Sequence, residues 1–153
     1  MAKSFRGGVH PDDRKRYTAT KLIEVAPVPQ KLVIPMRQHI GAPCSPIVKV
    51  GDTVKKGQVI AQAQAFVASP IHASTSGKIA EIAEYPHPVF GTCPAIVIES
   101  DGKDEWLEGL PFSRNWQELD AAALKDIIRD AGIVGMGGAT FPTHVKMAPP
   151  DGK

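Results

Sequence analysis

Cysteine is scarce in this 153-residue chain, where Cys44 and Cys93 are the only two. They form no CxxC pair, so this chain alone builds neither a zinc ribbon nor a cysteine-ligated iron–sulfur cluster. Long apolar runs are also missing. None approaches the roughly 20 residues that cross a bilayer, and the opening "MAKSFRGGVH" has no apolar stretch of the secretion-signal kind. We therefore expect free thiols in a reducing compartment and no transmembrane segment in this chain, which could still dock on a membrane complex. An excess of one charge is lacking too. Lys plus Arg number 18 against 16 Asp plus Glu, for a net +2, which argues against a nucleic-acid partner. The one dense charge run, "DDRKR" at Asp12–Arg16, mixes both signs and reads as a solvated N-terminal arm. The histidines (His10, His39, His72, His87 and His144) are scattered, with no i, i+4 pair on a predicted helix. Zinc-hydrolase spacing and a convergent acid–base set are both absent, so no catalytic or metal-ligating residue is expected.

Glycine and proline, 14 each, are dispersed through the chain and punctuate many short elements. From Lys21 to Glu99 the apolar runs are short and rich in Val and Ile: "KLIEV", "KLVIPM", "PIVKV", "QVIAQA", "GKIAEIAE" and "AIVIES". Turn-forming segments separate them, which predicts an all-β sandwich or small barrel. Two stretches are alike. "SPIVKVGDTVKKGQVI" starts at Ser45 and "SPIHASTSGKIAEI" at Ser69, and each runs from Ser-Pro-Ile through a Gly-containing turn into a strand. This fits a sheet of two quasi-equivalent halves.

After Glu99 the composition shifts. "SDGKDEWLEGLPFSRNW" is polar and turn-rich and reads as a linker. "LDAAALKDIIRDAG" predicts one helix, capped by Asp120, with Leu119 and Leu124 placed for a hydrophobic staple. Leu124, Ile127, Ile128 and Ala131 give it an apolar face, and Gly132 suits its left-handed stop. The helix delivers the chain into "GIVGMGGATFPTHVK". A P-loop would need Gly-Lys-Ser/Thr before a helix, and a dinucleotide fingerprint would need a third Gly or Ala where Thr140 stands. Three readings remain open from the residues alone: a tight structural loop, an amide nest for phosphate, or a loop whose small residues admit a flat ring.

The order "VKVGDTVKKGQVI" followed by "ASTSG" resembles the biotinyl/lipoyl carrier domains, which are barrel-sandwich hybrids. Carriers present a modified lysine on a hairpin tip. The matching stretch here, "AQAFVASPIHA", has no lysine, and Phe66 falls at that position. The resemblance therefore implies the fold without the attached cofactor.

The glycine loop is similar to the flavin-loop signature of the NADH-binding flavoprotein subunit of respiratory complex I, G-R-G-G-A-G-F-P-T-G. Gly135, Gly137, Gly138, Ala139, Phe141, Pro142 and Thr143 match it, while Met136 replaces an arginine and Thr140 a glycine. Both departures are compatible with the C subunit of the Rnf electron-transport complex. "FRGGVHP", "KLVIPMRQHIGAP", "HASTSGKI", "PHPVFG" and "IVIESDGKDEW" resemble the N-terminal half of that subunit, in order. The resemblance implies a mostly β barrel-sandwich domain over 21–103, behind an arm over 1–20. A linker and helix over 104–131 and the start of an α/β FMN-binding domain over 132–153 would follow. It implies a partial FMN site at Gly135, Gly137, Gly138, Ala139 and Thr140, with Lys146 near the phosphate. NADH and the 4Fe-4S clusters would belong to the rest of the parent protein, and this chain is expected to be an inactive fragment of it. The implied partners are the other Rnf subunits, on the cytoplasmic face of the bacterial inner membrane. A docking module of that complex, or a cobalamin reductase of similar domain order, are the alternatives.

Overall fold

The 11-residue run "GKIAEIAEYPH" and the 10-residue run "GTCPAIVIES" sit either side of a short turn. Together they dominate the fold as one long antiparallel hairpin. The computed structural model describes residues 11–110 and 115–148. Its strands are β1 (Lys31–Pro35), β2 (Ser45–Pro46), β3 (Thr53–Val54), β4 (Val59–Gln62), β5 (Ile71–His72), β6 (Gly77–His87) and β7 (Gly91–Ser100). Two helices follow, α1 (Ala121–Asp130) and α2 (Thr143–Lys146), and single 3-10 turns stand at Lys15–Tyr17 and Trp116–Glu118.

Four strands form one sheet in the order β1-β7-β6-β3, and three form a second in the order β2-β4-β5. The register of the first sheet stacks its isoleucines: Ile34 lies opposite Ile96 across β1/β7, and Ile79 opposite Ile98 across β6/β7. Between the sheets these side chains meet Met36, Val54, Ile60, Ile71 and Ala73 in one core, to which no aromatic side chain among the described residues belongs. Burial of each large aliphatic side chain contributes roughly 1.5–3 kcal/mol. The register of β6 shifts between Ile79 and Glu81, and this irregularity bends the long hairpin over the core.

The Ser-Pro-Ile repeat has a structural meaning. Its two copies lie on either side of β4, Ser45 opposite Gln62 and Ile71 opposite Ala61. The strands after the two turns then pair with each other, Thr53 with Lys78 and Val54 with Gly77. "KLIEV", in contrast, is not a strand. Leu22, Ile23 and Val25 are exposed, and no strand is assigned between Lys21 and Pro29. Its apolar content suggested a strand. However, Pro27 and Pro29 follow without amide hydrogens, and the open edge of β7 is already taken by β1.

The stretch after β7 is strapped to the barrel. Lys55 pairs with Glu105, Lys56 pairs with Asp104, and the Lys56 ammonium lies 4.9 Å from the Trp106 ring centre. Ser76 Oγ accepts from the Glu105 amide at 2.8 Å and donates to Asp101 at 2.7 Å. The Lys103 amide, and then Ser76, hold the Asp101 carboxyl below its ordinary value, and Lys56 does the same for Asp104.

Helix α1 starts and stops where its side chains dictate. Asp120 Oδ1 accepts from the Ala123 amide at 2.7 Å. At the other end Gly132 takes φ +70°, and the amides of Gly132 and Ile133 donate to the carbonyls of Arg129 and Ile128 in a Schellman arrangement. This stop turns the chain sharply into the glycine loop.

Candidate ligand cleft

The loop is closed at its base. Val134 bridges to Pro142, the Gly135 amide donates to Phe141 O at 2.9 Å, and the Thr143 amide donates to Ile133 O at 3.0 Å. Its tip, Met136 to Ala139, is exposed, with Met136 almost fully in solvent. A Cβ added at Gly137 or Gly138 would meet nothing within 4 Å, so both residues present an open backbone face. Gly135 differs, because a methyl group there would overlap the Lys146 ammonium. Lys146 thus folds back from α2 over the loop's first glycine.

Thr140 sits at φ +51°, a left-handed conformation that a β-branched residue adopts only under local constraint. Its hydroxyl donates to Ala139 O at 2.7 Å.

Two contacts fasten this segment to the barrel. The Ile40 amide donates to Ala139 O at 3.3 Å. His144, buried on α2, has Nε2 3.2 Å from Phe66 O and meets the Phe66 ring edge-on with centroids 6.4 Å apart. A carbonyl only accepts, so Nε2 carries the hydrogen, and the buried Nδ1 is left without a partner among the described residues. Phe66 lies in the β4–β5 connection, at the position the carrier-domain resemblance gives to a lysine. Here that connection receives α2.

The facing wall comes from the end of β1 and the β6–β7 turn. His87 Nδ1 accepts from the Val89 amide at 3.1 Å, and Nε2–H donates to Arg37 O at 3.1 Å. These bonds tie the turn to the β1 exit and set the Phe90 ring 4.9 Å from the imidazole. The Arg37 guanidinium then lies 3.8 Å from the Phe90 ring centre. Arg37, His87 and Phe90 on one side and Gly138, Ala139 and Thr140 on the other line a cleft of about 520 Å³. Next to it, His39 is structural. Its Nδ1–H donates to Ile40 O and its Nε2 accepts the Ser69 amide, each at 3.1 Å. The Cys44 thiol donates to Ser69 O at 3.2 Å, and burial pushes its pKa up.

Of the residues singled out in the sequence, Gly138, Ala139 and Thr140 line the cleft and Gly135 meets Lys146, while Gly137 lies at the open tip. Arg37, His87, Phe90 and His144 were not singled out as site residues. "MRQHIGAP" and "PHPVFG" contain the first three, but nothing in their spacing joins residue 37 to residue 90. A larger groove of about 850 Å³ lies between α1 and the barrel, beside Trp106, Leu110, Ile127 and His72. Burial there pushes the His72 pKa down, opposed by Asp130. Among the described residues, no group of three His, Cys, Asp or Glu side chains is placed to hold a metal, and no helix is long and apolar enough to cross a membrane.

The two-sheet barrel, with a glycine loop docked on its flank, defines a barrel-sandwich domain that carries one wall of the cleft. The chain belongs to the RnfC N-terminal family, for residues 3–103 match the family described as the RnfC barrel sandwich hybrid domain. Over all 153 residues it is 68% identical to the C subunit of the proton-translocating ferredoxin:NAD(+) oxidoreductase complex of Clostridium ljungdahlii, and covers 34% of that protein. It is 48% identical over 151 residues to the C subunit of the Na(+)-translocating ferredoxin:NAD(+) oxidoreductase complex of Acetobacterium woodii, with 98% of this chain and 34% of that protein covered. It is 44% identical over 149 residues to the C subunit of the ion-translocating oxidoreductase complex of Rhodobacter capsulatus, with 94% of this chain and 28% of that protein covered. The chain therefore spans about a third of the length of these relatives.

Proposed function

We propose that this chain forms part of an electron-transfer flavoprotein subunit in an ion-translocating ferredoxin:NAD oxidoreductase complex, and that its glycine loop receives FMN. One observation carries the reading. The backbone at Gly137 and Gly138 is uncovered on a loop whose base is hydrogen-bonded shut and whose flank is fastened to the barrel. Such a surface accepts a flat ring at van der Waals distance with no rearrangement of the loop. Lys146, lying against Gly135, suits the phosphate as a point-charge partner. The donor set thus fits a phosphate-bearing planar group.

When bound, FMN supplies both one- and two-electron chemistry. The chain's own residues hold and orient it. Gly135, Gly137, Gly138, Ala139 and Thr140 would form the ring-facing strip, and the barrel would fix that strip in place through Ile40 and His144. NADH, the 4Fe-4S clusters and the other Rnf subunits would engage the remainder of the parent protein, on the cytoplasmic face of the membrane.

The test is a flavin titration of the purified full-length subunit, with Gly137→Val as the probe. A Cβ added at Gly137 meets no protein atom within 4 Å. The variant should therefore keep wild-type thermal stability while losing FMN. A subunit that is flavin-free when isolated with its natural partners, or a Gly137→Val variant that binds FMN normally, overturns the reading.

A further inference from the structure

Arg37 has no role in the loop's own closure, yet several contacts hold it in place. His87 bonds its carbonyl, and its guanidinium carbon lies over the Phe90 ring, 3.8 Å from the ring centre. Stacking leaves a guanidinium's in-plane N–H donors free. Arg37 joins no ion pair among the described residues. Its Nε is buried with no hydrogen-bond partner among them. One buried donor left unfilled on a permanent cation is costly, and an anion beside the guanidinium offsets that cost.

The space in front of Arg37 is the cleft of about 520 Å³ whose opposite wall is Gly138–Thr140. Its remaining lining is partly apolar, with Ile40, Val89 and Phe90 all exposed. A cation fixed on an aromatic ring, facing uncovered backbone across an apolar-rimmed gap, suits a phosphate ester of a planar heterocycle. A simple carboxylate or an apolar ligand suits it less well.

We infer that Arg37, contributed by the barrel-sandwich domain, is a binding residue for the phosphate of a nucleotide held between that domain and the glycine loop. The inference rests on the flavin reading for the identity of the loop, and extends the site onto the barrel. Lys146 and Arg37 approach the loop from different elements, one beside Gly135 and the other beside Gly138–Thr140. They serve different phosphates or different oxygens of one phosphate. Phosphate is the shared chemistry, and its source is either the flavin or a dinucleotide.

The experiment follows the Arg37 guanidinium resonances of the full-length subunit by nitrogen-15 NMR, assigned through Arg37→Lys. Inorganic phosphate, FMN, riboflavin and NADH are added in turn. Phosphate should shift those resonances, and riboflavin should not. A shift with FMN assigns the flavin phosphate, whereas one with NADH alone assigns the dinucleotide. Arg37→Gln should weaken binding of the assigned nucleotide about tenfold or more. Arg37→Lys should recover part of that loss, and riboflavin affinity should be the same in all three proteins.

Resonances unmoved by phosphate, FMN and NADH alike overturn the inference. So does an Arg37→Gln variant that loses FMN and riboflavin equally, since that marks a folding effect. The flavin reading fails separately. If it is wrong, riboflavin and FMN leave the loop amides of Gly137 and Gly138 unmoved, while the phosphate shift at Arg37 persists.

Discussion

Replacing Thr140 with glycine should stabilise the protein, although glycine usually weakens a fold. Thr140 is held at φ +51°. That left-handed conformation costs an L-residue with a side chain about 1–2 kcal/mol, and β-branching places threonine at the upper end. Glycine is free of this cost but has more unfolded-state freedom to lose, about 0.4–1 kcal/mol. The Thr140 hydroxyl bonds only the adjacent Ala139 carbonyl in an exposed setting, so water replaces that bond with little net change. The balance favours Thr140→Gly by about 1–1.6 kcal/mol, or roughly 3–5 °C in Tm for a chain of this size. Thr140→Asn, which tolerates the left-handed region, should be neutral or slightly stabilising. Thr140→Pro, confined to negative φ, should be destabilising. The assay is thermal and urea unfolding followed by circular dichroism. Glycine lowering Tm while valine matches threonine would refute the argument, because valine keeps the strain and glycine removes it.

Ile96 is fully buried between the sheets, so Ile96→Ala should cost about 2–5 kcal/mol, read from urea midpoints. Burial lowers the His72 pKa from its ordinary 6.5, so the unfolded chain binds its proton first as pH falls. This contribution is fully present above pH 6.5 and declines below it, and His72→Gln should flatten that part of the stability profile. Cys44 is buried with a raised pKa, and its thiol donates to Ser69 O. It should react with a thiol reagent only at the rate of unfolding, whereas a fast native-state reaction would contradict its placement.

How far the sequence carried depended on the range of each interaction. The cap at Asp120, the stop at Gly132 and the turn before β3 involve neighbours a few residues apart, and local chemistry identified them. "GKIAEIAE" and "AIVIES" were legible as apolar runs, but the length of the hairpin was not: the strands extend through Tyr85–His87 and Gly91–Pro94, where prolines and glycine suggest a turn segment. "KLIEV" misled because apolar content does not report whether a sheet edge is free to accept a strand. The glycine loop was visible as a motif, but its partners were not. Arg37, His87 and Phe90 converge through the register of β1, β6 and β7, and no local pattern encodes that register. His144 reads as an ordinary residue of a short helix until the connection at Phe66 is folded against it.

That connection has a consequence for transport. In a carrier of this architecture the corresponding position is a free arm that shuttles its cargo between distant stations. Here the same hairpin is latched to His144, and the adjoining Ala139 is latched to Ile40. Anything seated on the loop is therefore stationary relative to the barrel.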